Sequence, residues 1–223
     1  MTDIPVIMSA PMVRATLREI EAPGTGKTNT RRTAWHPVKP KMIECRHGYD
    51  TCQTCDAPRP TSWQRVKPGD RLWVRERMSR VAEAWQYEAD KTAVTLPAGH
   101  PSVSTMIAWA HHYERDYCPS IHMPRWASRL TLVVSVVKIE RLQDISEADA
   151  IAEGIRQLRD GSGTWAGREG PGSLVTPWPT AKEAFSDLWD QLHGAGAWGS
   201  NSEIVAIAFR PHLSNIDALK EAA

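Results

Sequence analysis

Long apolar runs are missing from this chain of 223 residues. Nothing approaches the ~18 consecutive apolar residues that a spanning helix needs, so a membrane partner is not expected. The N-terminus lacks signal-peptide character: Asp3 is acidic and no continuous apolar h-region follows, which points to the cytoplasm. Cysteine is sparse, four in all, and in a cytoplasmic chain these thiols are not expected to pair as disulfides. Phenylalanine is rarer still, two against ten tryptophans, so tryptophan carries most of the aromatic packing, with stacking on nucleobases as its other use. No internal repeat is visible, which argues against a solenoid. The formal net charge of +1 argues against a long nucleic-acid footprint, because such binding is dominated by phosphate neutralisation.

What is present is an ordinary globular composition, 41% hydrophobic with mixed charges, long enough for one well-packed core with insertions. The near-neutral total hides an asymmetry. Between Arg14 and Arg80 stand fifteen Lys/Arg and seven Asp/Glu; the remainder has twelve against nineteen. A local basic region suits an anionic or phosphate-bearing partner, or is simply a solvated face.

Within that region lies Gly26-Lys27-Thr28-Asn29-Thr30-Arg31-Arg32, a Gly-led loop dense in cations and hydroxyls. Ile4–Ser9 reads as a short buried strand. Pro11 suits the first turn of a helix, where its missing N–H costs nothing, and Met12, Val13, Leu17 and Ile20 recur at helical spacing. Pro23, Gly24 and Gly26 end that helix, and Lys27–Thr33 leads into a strand. Pro68-Gly69-Asp70 is a turn before Arg71–Glu76, whose alternation of apolar and charged residues marks a half-buried strand. Leu130–Leu142, rich in Val and Ile, is a long strand. Ser146 caps a short helix that stops at Gly154 and carries Glu153 in its last turn. Thr180–His193 is a helix, and Glu203–Arg210 closes the chain as an alternating strand.

Residues 35–68, broken by five prolines, read as an insertion. It holds Cys45, His47, Cys52 and Cys55 within eleven residues. The Cys-x2-Cys pair can turn two thiolates toward one ion, so a structural zinc is expected, with Cys118 as an alternative to His47 for the fourth ligand. The competing reading is a set of free thiols. A Pro-flanked loop, 119–129, brings together His122, Arg125, Trp126 and Ser128, groups suited to stacking and hydrogen bonding on a base, or to packing a connector.

In order along the chain, Gly26-Lys27-Thr28-x-Thr30-x-Arg32, Pro68-Gly69-Asp70, the Val-rich strand, Ile145-Ser146-Glu147 through Ala150 to Glu153-Gly154, and the closing strand resemble an ASCH domain of the PUA-like superfamily. The likeness is greatest to phage and prophage members, which carry segments similar to Arg71–Glu76 and to the loop Ile121–Arg129. It covers 1–212, apart from insertions at about 36–67, 91–117 and 156–178; residues 213–223 form a tail. The resemblance implies an α+β fold, a small curved β-barrel with helices packed outside, here with a Cys/His-containing insertion. It also implies a phage-encoded protein in host cytoplasm.

The family's activities include RNA binding, ribonuclease action and hydrolysis of N4-acetylcytidine. Fold alone does not choose among them. Carried over residue by residue, the amidohydrolase set becomes Lys27, Thr30 and Glu153; beside it, Arg31 and Arg32 are cations whose own chemistry suits binding the substrate. A threonine hydroxyl needs a neighbour to take its proton. A lysine can do so when burial or nearby cations lower its pKa. Glu153 can orient that lysine or pass a proton to the leaving amine. The expectation is therefore a hydrolase of an acylated cytosine base or nucleoside, without an organic cofactor. Two alternatives stand beside it: a module binding RNA or modified nucleic acid without catalysis, in which Lys27 and Glu153 form a structural ion pair, and a ribonuclease that would draw on His122.

Overall fold

The computed structural model describes residues 1–36, 59–82, 84–95, 110, 112–167 and 176–219. The main sheet has five strands: β1 (Asp3–Ile7), β2 (Asn29–Thr33), β3 (Arg71–Arg75), β7 (Thr131–Arg141) and β10 (Glu203–His212), in the order β1-β3-β7-β10-β2. β1 runs parallel to β3 and the other neighbours are antiparallel. Pro5 is accommodated because β1 is an edge, where a missing ladder donor is tolerated. A smaller sheet joins β4 (Met78–Val81), β5 (Ala84–Tyr87) and β6 (Tyr117–Cys118), and β8 (Arg156–Gln157) pairs with β9 (Trp165–Ala166). Three helices complete the described elements: α1 (Ala10–Glu21), α2 (Glu147–Ala152) and α3 (Ala181–His193).

The fold is therefore α+β, with most of its regular structure in sheets. The expected barrel does not close among the described residues: β1 and β2 are the two edges and no strand pairing joins them. A side chain crosses the gap instead, Arg32 Nη2 donating to the Ile7 carbonyl at 2.8 Å. Curvature enters at β10, where the register with β7 shifts between Ala208 and Phe209.

Three apolar clusters organise the packing. The first joins the sheet to α1 through Val6, Val13, Leu72, Leu132 and Ile207. The second lies under the small sheet, around Met78, Trp85, Cys118 and Met123. The third holds α2 and α3 against the start of β10 through Ile145, Ala150, Phe185, Trp189 and Ile204. α3 starts from a capping box in which Thr180 and Glu183 satisfy each other's backbone donors. α2 is capped by Ser146, which accepts from the Asp149 amide, as the sequence suggests. Among the described residues no helix is long and apolar enough to cross a membrane.

Candidate functional site

The loop between α1 and β2 is fixed before any functional side chain is placed. Glu19 reaches out of α1 and accepts from the amides of Gly24 and Gly26, each at 3.0 Å. The Lys27 amide donates to the Ala15 carbonyl, and the Thr28 amide donates to the Ala152 carbonyl at the end of α2. Gly26 is required for this approach. A Cβ there would fall on the Ala15 carbonyl oxygen and the Glu19 amide nitrogen, inside van der Waals distance. Gly154, at φ +100°, does the same on the other side, its α-hydrogens lying against Ala15 and Lys27. Two glycines thus let three segments meet at one lysine.

Lys27 is 1% exposed. Its Nζ donates to Glu153 Oε2 at 2.6 Å and to the Glu153 carbonyl at 2.8 Å. The second bond places a cation on the C-terminal carbonyls of α2, where the helix dipole favours it. The other carboxylate oxygen, Oε1, accepts from Arg31 Nη1 at 3.1 Å. Arg31 continues to Glu140 Oε1 at 3.0 Å and lies 3.7 Å from Asp149 Oδ2. Burial holds Lys27 below the usual lysine range; Glu153 opposes that shift, and the charges of Arg32 and Arg31 add to it.

Strand alternation sends Arg31 toward α3, over the Phe185 ring, and Arg32 toward β1 and the Trp63 ring. Arg32 is also lowered, first by burial, with Glu153 acting against the shift. Between these elements lies a cavity of about 410 Å³. Its walls are the start of α1 (Pro11, Met12, Ala15), the β2 residues Thr30–Arg32, Lys27 with Glu153-Gly154, and α3 from Phe185 to His193. Its size falls within the range of small-molecule sites, and its lining is mostly apolar with a few convergent polar groups. Thr30 is 1% exposed and lines this cavity.

Five of the sequence-derived candidates are brought together here: Lys27, Thr30, Arg31, Arg32 and Glu153 line one cavity. The other four do not reach it. Arg125 is held by Asp3 and Asp217, Ser128 donates to the Val74 carbonyl, Trp126 packs against the second cluster, and His122 sits on a short turn beside them. Those groups build a joint with the C-terminal segment, where Asn215 Nδ2 donates to the carbonyls of Arg125, Trp126 and Ser128. Cys45, His47, Cys52 and Cys55 lie outside the described residues. Cys118 sits in the second cluster, where burial pushes its thiol up to about 11. Among the described residues no group of three or more His, Cys, Asp or Glu is arranged to hold a metal.

One cavity residue had no signal in the sequence reading. His193, the last residue of α3, stacks on Trp189 with ring centroids 4.0 Å apart. Its spacing from Phe185 and Trp189, eight and four positions on one helix face, is a pattern that was not used to place it in a site. Compared with protein-family models, with curated proteins and with solved structures, the chain finds no match.

Proposed function

We propose that the chain is an ASCH-type, PUA-like domain that hydrolyses the amide of an N4-acylated cytosine base or nucleoside in this cavity. One observation carries the reading: a desolvated lysine, held by a carboxylate, shares a cavity of small-molecule size with a buried threonine. Supporting it are the alternation that places Arg32 beside Thr30 and the aromatic wall on α3.

The chemistry balances with these groups alone. Lys27, its pKa lowered by burial, reacts as the free amine after losing its proton to solvent, and Glu153 holds the nitrogen in place. Lys27 then takes the Thr30 proton as Oγ attacks the acyl carbon. Arg32 offsets the charge on the resulting oxyanion. Collapse breaks the bond to the exocyclic nitrogen, which leaves with the proton from Lys27. Water attacks the Thr30 ester, gives its proton to Lys27, and the acid departs as Thr30 recovers its hydrogen. The step requires Lys27 to turn from Glu153 to Thr30.

The bond pattern of Lys27 also favours a second reading. Both of its hydrogen bonds go to Glu153, as in an ion pair that simply pins α2 to the loop. The cavity would then bind a modified base without cleaving it. Turnover of N4-acetylcytidine, followed by absorbance in wild type and Lys27→Ala, separates the two. Hydrolysis lost in the variant supports the enzyme; tight binding without turnover by wild type supports the binding module.

A further inference from the structure

Phe185, Trp189 and His193 fall at successive fourth positions of α3, so their rings stand on one face of the helix, one turn apart. They form a ladder. Phe185 and Trp189 have centroids 6.0 Å apart at 43°, and Trp189 and His193 4.0 Å apart at 30°. At its inner end the Arg31 guanidinium lies 5.9 Å from the Phe185 centroid. Phe185 and Trp189 are buried, whereas His193 is exposed, and all three line the cavity. α3 ends at His193 because Gly194 takes φ +102° and the chain turns away. Trp189 covers one face of the imidazole, and His193 is exposed where it lines the cavity.

We propose that His193, backed by Trp189, is a ligand-binding residue of the site, the platform on which the planar ring of a heteroaromatic base stacks. This rests on the reading of the cavity as a site for a cytosine-type ligand, but not on its being catalytic. A cation at a helix C-terminus is normally favoured. Here burial and the Arg32 charge hold His193 below the ordinary histidine range, so at neutral pH it presents an uncharged ring. An uncharged ring stacks on a base without competing with Arg32 for the ligand's acceptor atoms. Leu192, more than half exposed beside it, extends the apolar mouth that such a base would cover.

The test is equilibrium binding of cytidine, N4-acetylcytidine and ribose, followed by the quench of tryptophan fluorescence. Base stacking on an aromatic side chain is worth roughly five- to a hundredfold in affinity. His193→Ala is therefore expected to weaken both nucleosides by about tenfold, while His193→Phe, which keeps the stack, restores binding, and ribose binds to none of the proteins. Equal nucleoside affinity in wild type and His193→Ala overturns the proposal, as does a wild type that binds no nucleoside. Binding that depends on His193 without any turnover sinks the hydrolase reading and leaves this one standing. Turnover with affinity insensitive to His193 does the reverse.

Discussion

Lys27 Nζ lies 2.6 Å from Glu153 Oε2, joining residues 126 positions apart in a site that water barely reaches. The pair is not symmetric. Glu153 answers two cations, Lys27 and Arg31, whereas the Lys27 ammonium has one carboxylate. Glu153→Gln leaves the buried Lys27 without its carboxylate, while Arg31 keeps Glu140 and Asp149, and is expected to cost about 3–5 kcal/mol. Lys27→Met leaves Glu153 still held by Arg31 and is expected to cost clearly less. Urea midpoints of the two variants decide this; equal losses would mean that Arg31 does not compensate Glu153.

Gly26 should tolerate no side chain. Its added Cβ meets the α1 backbone at the Ala15 carbonyl oxygen and the Glu19 amide nitrogen, and backbone cannot swing away as a side-chain tip can. Gly26→Ala is expected to lose more than about 3 kcal/mol, whereas Gly24→Ala, with open space around it and only φ +86° to resist, should lose about 1 kcal/mol. Thermal unfolding of the two proteins side by side reads the difference. A Gly26→Ala protein as stable as Gly24→Ala would mean the loop does not pack on α1 as described.

Catalysis by Lys27 carries a pH signature. Its amine acts only when deprotonated, so kcat/KM should rise with pH and level off below the ordinary lysine value of 10.5, because burial lowers the group. Arg32 is one of the charges that lower it. Arg32→Gln should therefore move the ascending limb to higher pH, whatever it does to the plateau. A limb that stays in place or moves to lower pH would rule out Lys27 as the titrating base.

If the Cys45/His47/Cys52/Cys55 cluster holds a structural zinc, purified protein should carry about one zinc per chain. Cys52→Ser should lose it and Cys118→Ser should keep it, since Cys118 is committed to an apolar cluster. Metal analysis of the three proteins is sufficient, and zinc lost from Cys118→Ser but not from Cys52→Ser would reverse the ligand assignment.

Local signals carried well from sequence to structure, and long-range ones did not. The Val-rich segment 130–142 forms β7 over Thr131–Arg141, and the 180–193 helix forms α3 over Ala181–His193. Both have strong periodicity and clear stops. Ser146 announces its cap through Asp149. The meeting of Lys27 and Glu153, 126 positions apart, was expected only through the family resemblance; what Gly26 and Gly154 do for it shows only in the fold. The parallel pairing of β1 with β3 was not readable, since no local pattern encodes which edge a strand joins. β4 was missed because Met78–Val81 has only Met78 buried, leaving no alternation to detect. In the 119–129 loop the fold spends Arg125 on Asp217, and the loop's own carbonyls accept from Asn215, partners invisible from the loop alone.

The most direct test is the absorbance assay of N4-acetylcytidine with wild type, Lys27→Ala and Thr30→Ala. Wild type is expected to release cytidine and acetate, with both variants reduced by at least about a hundredfold, as loss of an activated nucleophile or its base requires. A Thr30→Ala protein that still turns over like wild type would contradict the assignment of the nucleophile. A wild type that binds the nucleoside and releases nothing would contradict hydrolysis itself.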